Sequence, residues 1–375
     1  EEAVSHTTGR YFEALRQVVG QFPVFGEVIH AQPYGTGHIN ETYACTVEQG
    51  RAKVRYILQR INENVFRDIP AVQENIGRVT EHIRAKLIAA RASDISGRVL
   101  RFLPATDGRN YTVDQDGGYW RLCPLIERAR TFDILESAQQ AELVAKAFGQ
   151  FQLQVSDLDA SLLHETIPHF HDGQARLAQF KVALEADAHN RAADCAAEIA
   201  FLLDHAWVFD VFPKALAEGK VPLRITHNDT KVNNVMFDDE SGEAICVIDL
   251  DTVMPGLALY DFGDMVRTGT NTAAEDERDL RRVSMDIALF EALVRGYWAT
   301  ACGFLNRAER DLLTFAGKML TLIIGSRFLT DHLNGDTYFR IHRPGHNLDR
   351  CRTQFKLVES ISRQEEAMAA IVESL

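Results

Sequence analysis

Apolar and polar positions alternate over Glu27–Pro33, Glu41–Val47 and Val54–Ile61. A period of two marks strands with one face turned inward. From Ile69 to Ala90 the period changes: Val72, Ile76, Val79, Ile83 and Leu87 recur every three or four residues and predict a helix. A short amphipathic helix is expected ahead of the strands, over 7–20. Strand character returns over Arg98–Leu103 and, after the turn Asp114-Gln115-Asp116-Gly117-Gly118, over Tyr119–Ile126. From Ser137 onward helical spacing dominates, over about 137–154, 174–187, 191–217, 277–299, 307–334 and 349–373. A strand pair, Val221–Thr226 and Ile245–Ile248, interrupts it. This order predicts an α+β fold in two lobes. A small β-rich N-terminal lobe is expected over 1–127 and a larger, mainly helical C-terminal lobe over 128–375, with a hinge near Glu127–Thr131.

The chemistry sits where the two interrupting strands end. The first runs into His227-Asn228-Asp229-Thr230-Lys231-Val232-Asn233-Asn234, the second into Asp249-Leu250-Asp251. Protein kinases have the same order: a His, an Asp two residues on, an Asn five after the Asp, and a metal-binding Asp at a strand end. Phosphoryl transfer uses one carboxylate to accept the proton of the attacking hydroxyl, and an Asn and a second carboxylate to hold Mg2+ on ATP. Asp229 is the expected base, and Asn234 and Asp249 the expected metal donors, with Asp251 next in line. His227 is expected to orient the loop. Any one Asp or Asn would suit an ordinary polar turn; three at this spacing, each at a strand end, do not read that way.

With that motif in place, the β-β-β-α-β-β start reads as a kinase small lobe. Gly35-Thr36-Gly37-His38-Ile39-Asn40, between the first two strands, then becomes a phosphate lid in which Gly35, Thr36 and Gly37 approach the nucleotide. Alone it would be a hairpin turn. The third strand of a kinase carries a phosphate-binding Lys. Here Tyr56-Ile57-Leu58-Gln59-Arg60 has none, which leaves Gln59 or Arg60 for the nucleotide, and alternation points only one of them at the cleft. Glu74 and Glu81 are the candidate carboxylate partners on the following helix, and Glu127 at the hinge is placed with the nucleotide. Asp261, in Tyr260-Asp261-Phe262-Gly263-Asp264, either braces the catalytic loop or caps a helix. His169-Phe170-His171 lacks a third metal ligand, and no Gly-x-Ser-x-Gly elbow is present.

The 375 residues, 46% hydrophobic and 25% charged, are ordinary for a soluble globular chain. A net charge of −13 argues against nucleic acid or an anionic membrane as partner, without opposing ATP. Six scattered cysteines suggest reduced thiols and a cytoplasmic setting. No apolar run is long enough to span a membrane, and Glu1-Glu2-Ala3 does not begin a signal peptide.

Nearly the whole chain resembles the aminoglycoside phosphotransferase and choline kinase superfamily, and within it the N-acetylhexosamine 1-kinase group. The resemblance rests on Gly35–Asn40, Tyr56–Asn62, His227–Asn234, Cys246–Gly256, Tyr260–Asp264, Arg327–Phe339 and Arg350–Phe355. It implies a two-lobed protein-kinase-like fold and transfer from ATP, with Mg2+, to the anomeric hydroxyl of N-acetylglucosamine or N-acetylgalactosamine. It implies Asp229 as base, Asn234 and Asp249 on Mg2+, and His38, Arg327 and Tyr338 near the sugar. Thr268 stands where that group is expected to have an aromatic residue. Asp229 reads as a lone carboxylate, suited to the acidic anomeric proton. Two other readings stay open: a kinase for choline, homoserine or an aminoglycoside, and an inactive nucleotide-binding regulator.

Overall fold

The computed structural model describes residues 2–35 and 39–375. Helix α1 (Glu2–Val19) leads into antiparallel strands β1 (Glu27–Pro33), β2 (Glu41–Gln49) and β3 (Ala52–Arg60). Helix α2 (Ile69–Ala89), a single turn α3 (Ile95–Arg98), β4 (Thr112–Val113), β5 (Tyr119–Pro124) and β6 (Ala129–Arg130) follow. The first five strands form one sheet in the order β1-β2-β3-β5-β4. Its outer face, with Leu58 and Leu122, packs on Leu15, Val18 and Val19 of α1. Its inner face carries Ile57, Gln59 and Arg121 toward a cleft.

The predicted stripe of α2 is buried. Val72, Ile76, Val79 and Ile83 pack on Phe151 and Val155 from a later helix (Ala138–Val155), and on Ile225, Leu250 and Val253 around the motif strands. The Asp68 carboxylate caps α2 by accepting the Ala71 N–H at 3.1 Å. One helix thus ties the sheet to the elements that carry the Asp and Asn motif.

The chain then builds α4 (Ala138–Val155), α5 (Gly173–Ala186), α6 (Ala196–Asp204) and α7 (Val211–Ala217). Short strands β7 (Arg224–Thr226), β8 (Val235–Asp238), β9 (Ala244–Val247) and β10 (Met254–Gly256) come next. The remainder is helical: α8 (Ala258–Gly269), α9 (Ile287–Ala301), α10 (Arg307–Asp311), α11 (Leu313–Leu333), α12 (His346–Arg363) and α13 (Glu365–Glu373). Strand β7 pairs with β10, and β8 lies between β6 and β9. The fold is α+β, with a sheet-rich N-terminal region and a mostly helical C-terminal region.

Several elements differ from expectation. Residues 99–104 carry no strand, although the Leu103 N–H still reaches the Leu122 carbonyl at 2.8 Å. Pro104 has no N–H with which to extend a ladder, and β4 takes the edge instead. The helix expected over 191–217 is broken into 3-10 turns (Ala192–Cys195, Ala206–Asp210) and the short α6 and α7. The helix expected from 277 begins at Ile287, where the Asp286 carboxylate accepts the Ala288 and Leu289 N–H groups at 2.9 and 3.1 Å. Leu312 and Gln364 split the last two predicted helices.

Helices α8 and α11 touch closely at Gly263, where a Cβ would lie 2.4 Å from the Ala316 carbonyl oxygen. That contact buries Asp261 and Asp264 beneath the loop after β7. Among the described residues no helix is long and apolar enough to cross a membrane, and the six cysteines are unpaired thiols.

Candidate active site

Strand β7 delivers His227 into the core, edge-on to Phe148 and Phe151. Its Nε2 donates to the Ile248 carbonyl at 2.8 Å and its Nδ1 accepts the Asp229 N–H at 3.2 Å. A carbonyl can only accept and an N–H can only donate, so the proton sits on Nε2. The imidazole therefore bridges the two motif strands rather than reaching the cleft. Asn228 follows in the left-handed region at φ 69°, where Asn is tolerated.

Asp261 holds this turn. Its carboxylate accepts the His227 N–H at 2.9 Å, the Asn228 N–H at 2.7 Å and the Gln152 amide at 2.8 Å. Asp264 accepts the Thr230 N–H at 3.0 Å and is paired with Arg267 at 2.9 Å. Of the two readings of Asp261, bracing is the one observed, because the α8 N-cap is Leu257.

Asp229 is not a lone carboxylate. Lys231 lies 3.0 Å from Oδ1, and the Asn234 amide donates to Oδ2 at 3.3 Å and to the Asp229 carbonyl at 2.8 Å. Burial alone would raise the Asp229 carboxyl, but the positive charges of Lys231 and Arg267 oppose it, and the net shift is downward. The Lys231 ammonium is raised in turn, chiefly by Asp229. Lys231 was visible two residues after Asp229; that its side chain turns back needed the loop's geometry.

Asp229, Asn234 and Asp249 line one cleft of about 770 Å³ with Gly35, Gln59 and Arg121. Asp249 lies two residues past the end of β9, at φ 56°. Its carboxylate opens onto the cleft, has no hydrogen-bond partner among the described residues, and is pushed up to about 7 by desolvation and by Asp251 and Asp229. The Asn234 amide nitrogen is occupied, which leaves its Oδ1 as an acceptor. Among the described residues no three His, Cys, Asp or Glu side chains form a metal cage. Two oxygen donors in a cleft suit Mg2+, which fills its octahedron with substrate phosphates and water. Asp251 is differently engaged: Oδ1 takes Arg121 at 2.5 Å and Oδ2 takes Asn40 at 2.7 Å.

The nucleotide candidates separate. Gln59 faces the cleft, bonded to Thr42 and Arg121 at 3.1 and 2.9 Å. Arg60 does not; one residue on, it lies on the outer face beside Gly118 and Asp114 and pairs with Glu41 at 3.5 Å. Glu74 binds Arg78 and His164, and Glu81 lies beside Arg84 and Arg101, so neither supplies the expected partner. The Glu127 carboxylate is taken by Arg55 at 2.5 and 2.8 Å and does not line the cleft. Gly35, at φ 79°, does. Thr36, Gly37 and His38 lie outside the described residues.

Arg327 and Tyr338 come together. The Arg327 guanidinium sits 5.3 Å from each of the Phe170, Tyr338 and Phe339 rings. Asp331 orders that loop by accepting the N–H groups of Thr337, Tyr338 and Phe339 at 2.9, 2.8 and 3.0 Å. Arg267 links the two regions electrically, acting on both Asp229 and Arg327. Thr268 bonds back to the Asp264 carbonyl at 2.8 Å.

His171 is buried in this region, its Nε2 3.1 Å from the Asn228 carbonyl and its Nδ1 without a partner among the described residues. Burial pushes its imidazole down to about 4; Asp264 opposes the shift, and Arg327 and Arg267 add to it. The unfolded chain takes up this proton near pH 6.5 and the folded chain only near 4. His171 therefore contributes stability above pH 6.5 that is lost as pH falls toward 4, by at most about 3 kcal/mol. His171→Gln should flatten the fall in urea-unfolding free energy between pH 7 and 4.5. An unchanged slope would contradict a neutral buried imidazole.

A family model described as "Phosphotransferase enzyme family" (APH) matches residues 30–299. The fold is similar to that of an aminoglycoside phosphotransferase from Alicyclobacillus acidocaldarius, with TM-score 0.63 and 14% identity over 96% of each chain. A choline/ethanolamine kinase family protein from Mesorhizobium loti gives 0.52 and 15%, over 97% of this chain and 99% of that one. A spectinomycin phosphotransferase in complex with ADP and spectinomycin gives 0.52 and 12%, over 94% and 98%. At these identities the likeness is one of fold. The family match, from β1 into α9, spans well over half of the sequence. The chain thus belongs to the phosphotransferase enzyme family.

Proposed function

We propose that the protein transfers the γ-phosphoryl group of ATP to the anomeric hydroxyl of an N-acetylhexosamine. The observation that carries this reading is the position of Asp229. In the same cleft lie Asn234, Asp249 and the apolar slot of Ile57, Phe102, Met236 and Ile248, suited to a nucleotide. Arg267 acts on Asp229 and on Arg327, which packs on Tyr338; the reading sets the acceptor beside these groups, which suit a neutral molecule rich in hydrogen-bonding groups. The ADP held by the spectinomycin phosphotransferase supports the nucleotide half. The reading divides the chain into a nucleotide lobe, 1–127, and a catalytic and acceptor lobe, 128–375.

Asp229 is held ionised and accepts the proton of the attacking hydroxyl. The acceptor oxygen bonds to the γ-phosphorus as the bond to the β,γ-bridging oxygen breaks, and ADP leaves with that electron pair. Asn234 Oδ1 and Asp249 are the groups that would hold Mg2+ with the phosphates, and the ion would offset phosphate charge there. No phospho-enzyme is required, since positioning and electrostatics supply most of the rate. Because Lys231 lowers the basicity of Asp229, the base is matched to an acidic hydroxyl, and the anomeric one is the most acidic on the ring.

Two features weigh against the other acceptors. A choline site needs aromatic rings around a free ammonium position, and here Phe170, Tyr338 and Phe339 already surround Arg327. A polycationic aminoglycoside would meet Lys231, Arg267 and Arg327. Tyr338, 62% exposed, offers a ring face for a sugar in place of the aromatic residue absent at Thr268. The test is an ADP-release screen over N-acetylglucosamine, N-acetylgalactosamine, their non-acetylated parents, choline, homoserine and spectinomycin, with phosphorus–proton NMR on the product. Phosphorus coupled to the anomeric proton supports the reading. Coupling to the two C6 protons, or turnover of choline or spectinomycin alone, overturns it.

Arg327→Ala is expected to raise the KM for the sugar by roughly tenfold or more, the worth of a lost charged donor. The KM for ATP should stay within about a factor of two, because the residue is held among Phe170, Tyr338 and Phe339, away from the nucleotide slot. A shift confined to ATP would remove Arg327 from the acceptor side.

A further inference from the structure

We infer that Arg121 on β5 is the cation that anchors the nucleotide phosphates, one strand away from the place kinases give a lysine. The inference rests on the nucleotide reading above and deepens it. In register, Arg121 lies directly opposite Gln59, the inward residue of β3. A cation on β5 at that register position reaches the same part of the cleft as one on β3, since neighbouring strands are about 5 Å apart. Arg60, the remaining β3 candidate, is on the outer face.

The guanidinium is set up to present one edge. Nε donates to Gln59 Oε1 at 2.9 Å. Nη1 donates to Gln73 Oε1 at 2.9 Å and to Asp251 Oδ1 at 2.5 Å. One face covers the Phe102 ring at 4.7 Å. Nη2 has no partner among the described residues, and Arg121 lines the cleft together with Asp249. Two donors fixed by neutral amides and a carboxylate leave Nη2 as the remaining donor of a planar group, and arginine suits phosphate oxygens.

The partner carboxylate has moved as well. On α2 the residue facing the cation is Gln73, which is neutral, while Glu74 and Glu81 point elsewhere. The counter-charge comes from Asp251, two residues beyond Asp249. The other oxygen of Asp251 holds Asn40, whose own Oδ1 accepts the Asn62 N–H at 2.9 Å. One carboxylate thus joins the end of the glycine loop, the anchoring cation and the strand end that carries Asp249.

The test compares ADP with adenosine, which lacks the phosphates, by calorimetric titration of the full chain in magnesium buffer. Arg121→Gln should weaken ADP roughly 10- to 100-fold and leave adenosine within about twofold. Adding Gln59→Lys to that variant, which returns a cation to β3, should recover part of the loss. If Arg121→Gln does not fold, Arg121→Met with Asp251→Asn removes both buried charges together and leaves no orphan; it should show the same ADP-selective loss. ADP bound as tightly as by wild type, or ADP and adenosine weakened alike, overturns the inference while leaving the kinase reading intact. A wild-type protein that binds neither sinks that reading and the inference with it.

Discussion

Asp229→Asn is expected to lower turnover by roughly two to four powers of ten, the span of a lost general base, while ATP affinity stays near wild type. The two readouts separate because, in the proposed mechanism, Asp229 acts on the acceptor hydroxyl, while Asn234, Asp249 and the apolar slot hold the nucleotide. Asparagine keeps the size of the side chain, and its carbonyl oxygen can still accept from Asn234, now at 3.3 Å from Oδ2. It cannot take up a proton at neutral pH. The bonds that shape the loop come from Asp261 and Asp264 and do not involve the Asp229 carboxylate. Single-turnover rates with saturating MgATP, beside a nucleotide titration, measure both quantities. Turnover within a few-fold of wild type would move the base elsewhere. Equal loss of ATP binding would show that the charge pair with Lys231 shapes the nucleotide site.

How much of this site was legible in the sequence depended on how local each relation is. Asp229, Asn234 and Asp249 stand at strand ends, and spacing alone placed them in one cleft, where the structure has them. The α2 stripe was legible because a helical period needs only one element to be seen. Which of Gln59 and Arg60 faces inward is a parity question, and parity is set by the register of β3 against β5. Arg121 was hidden for the same reason. It sits in Tyr119-Trp120-Arg121-Leu122-Cys123-Pro124, which reads as an apolar strand, and its counter-ion is 130 residues away. Glu127 looked available until Arg55, on a different strand, took its carboxylate. The strand expected at Arg98–Leu103 failed differently: its apolar alternation is real, with Leu100 and Phe102 lining the cleft, but no ladder forms beyond Leu103.

Replacing the strand-end carboxylate gives the other large effect, and it has two signs. Asp249→Asn should abolish the dependence of ATP binding on Mg2+, weakening MgATP by roughly 100-fold, as expected when one member of a close, desolvated charge pair is removed. Without ligands the same variant should melt at a higher temperature than wild type. Asp249 lies close to two like charges, Asp251 and Asp229, with no hydrogen bond of its own among the described residues. Asp251 is paired with Arg121 and Asp229 with Lys231, whereas Asp249 has no ion pair of its own among the described residues. Neutralising Asp249 removes that repulsion, and asparagine is suited to the left-handed backbone at φ 56°, where alanine would add strain. The opposite signs tell a binding role from a structural one. A residue needed for the fold would lower the melting temperature and weaken adenosine and ATP together. A residue kept for a cation, against its own electrostatic interest, weakens only the metal-dependent part. Melting curves with and without MgATP, with calcium and magnesium compared, check both halves. A variant that melts earlier and still responds fully to Mg2+ would assign the ion to other oxygens of the cleft.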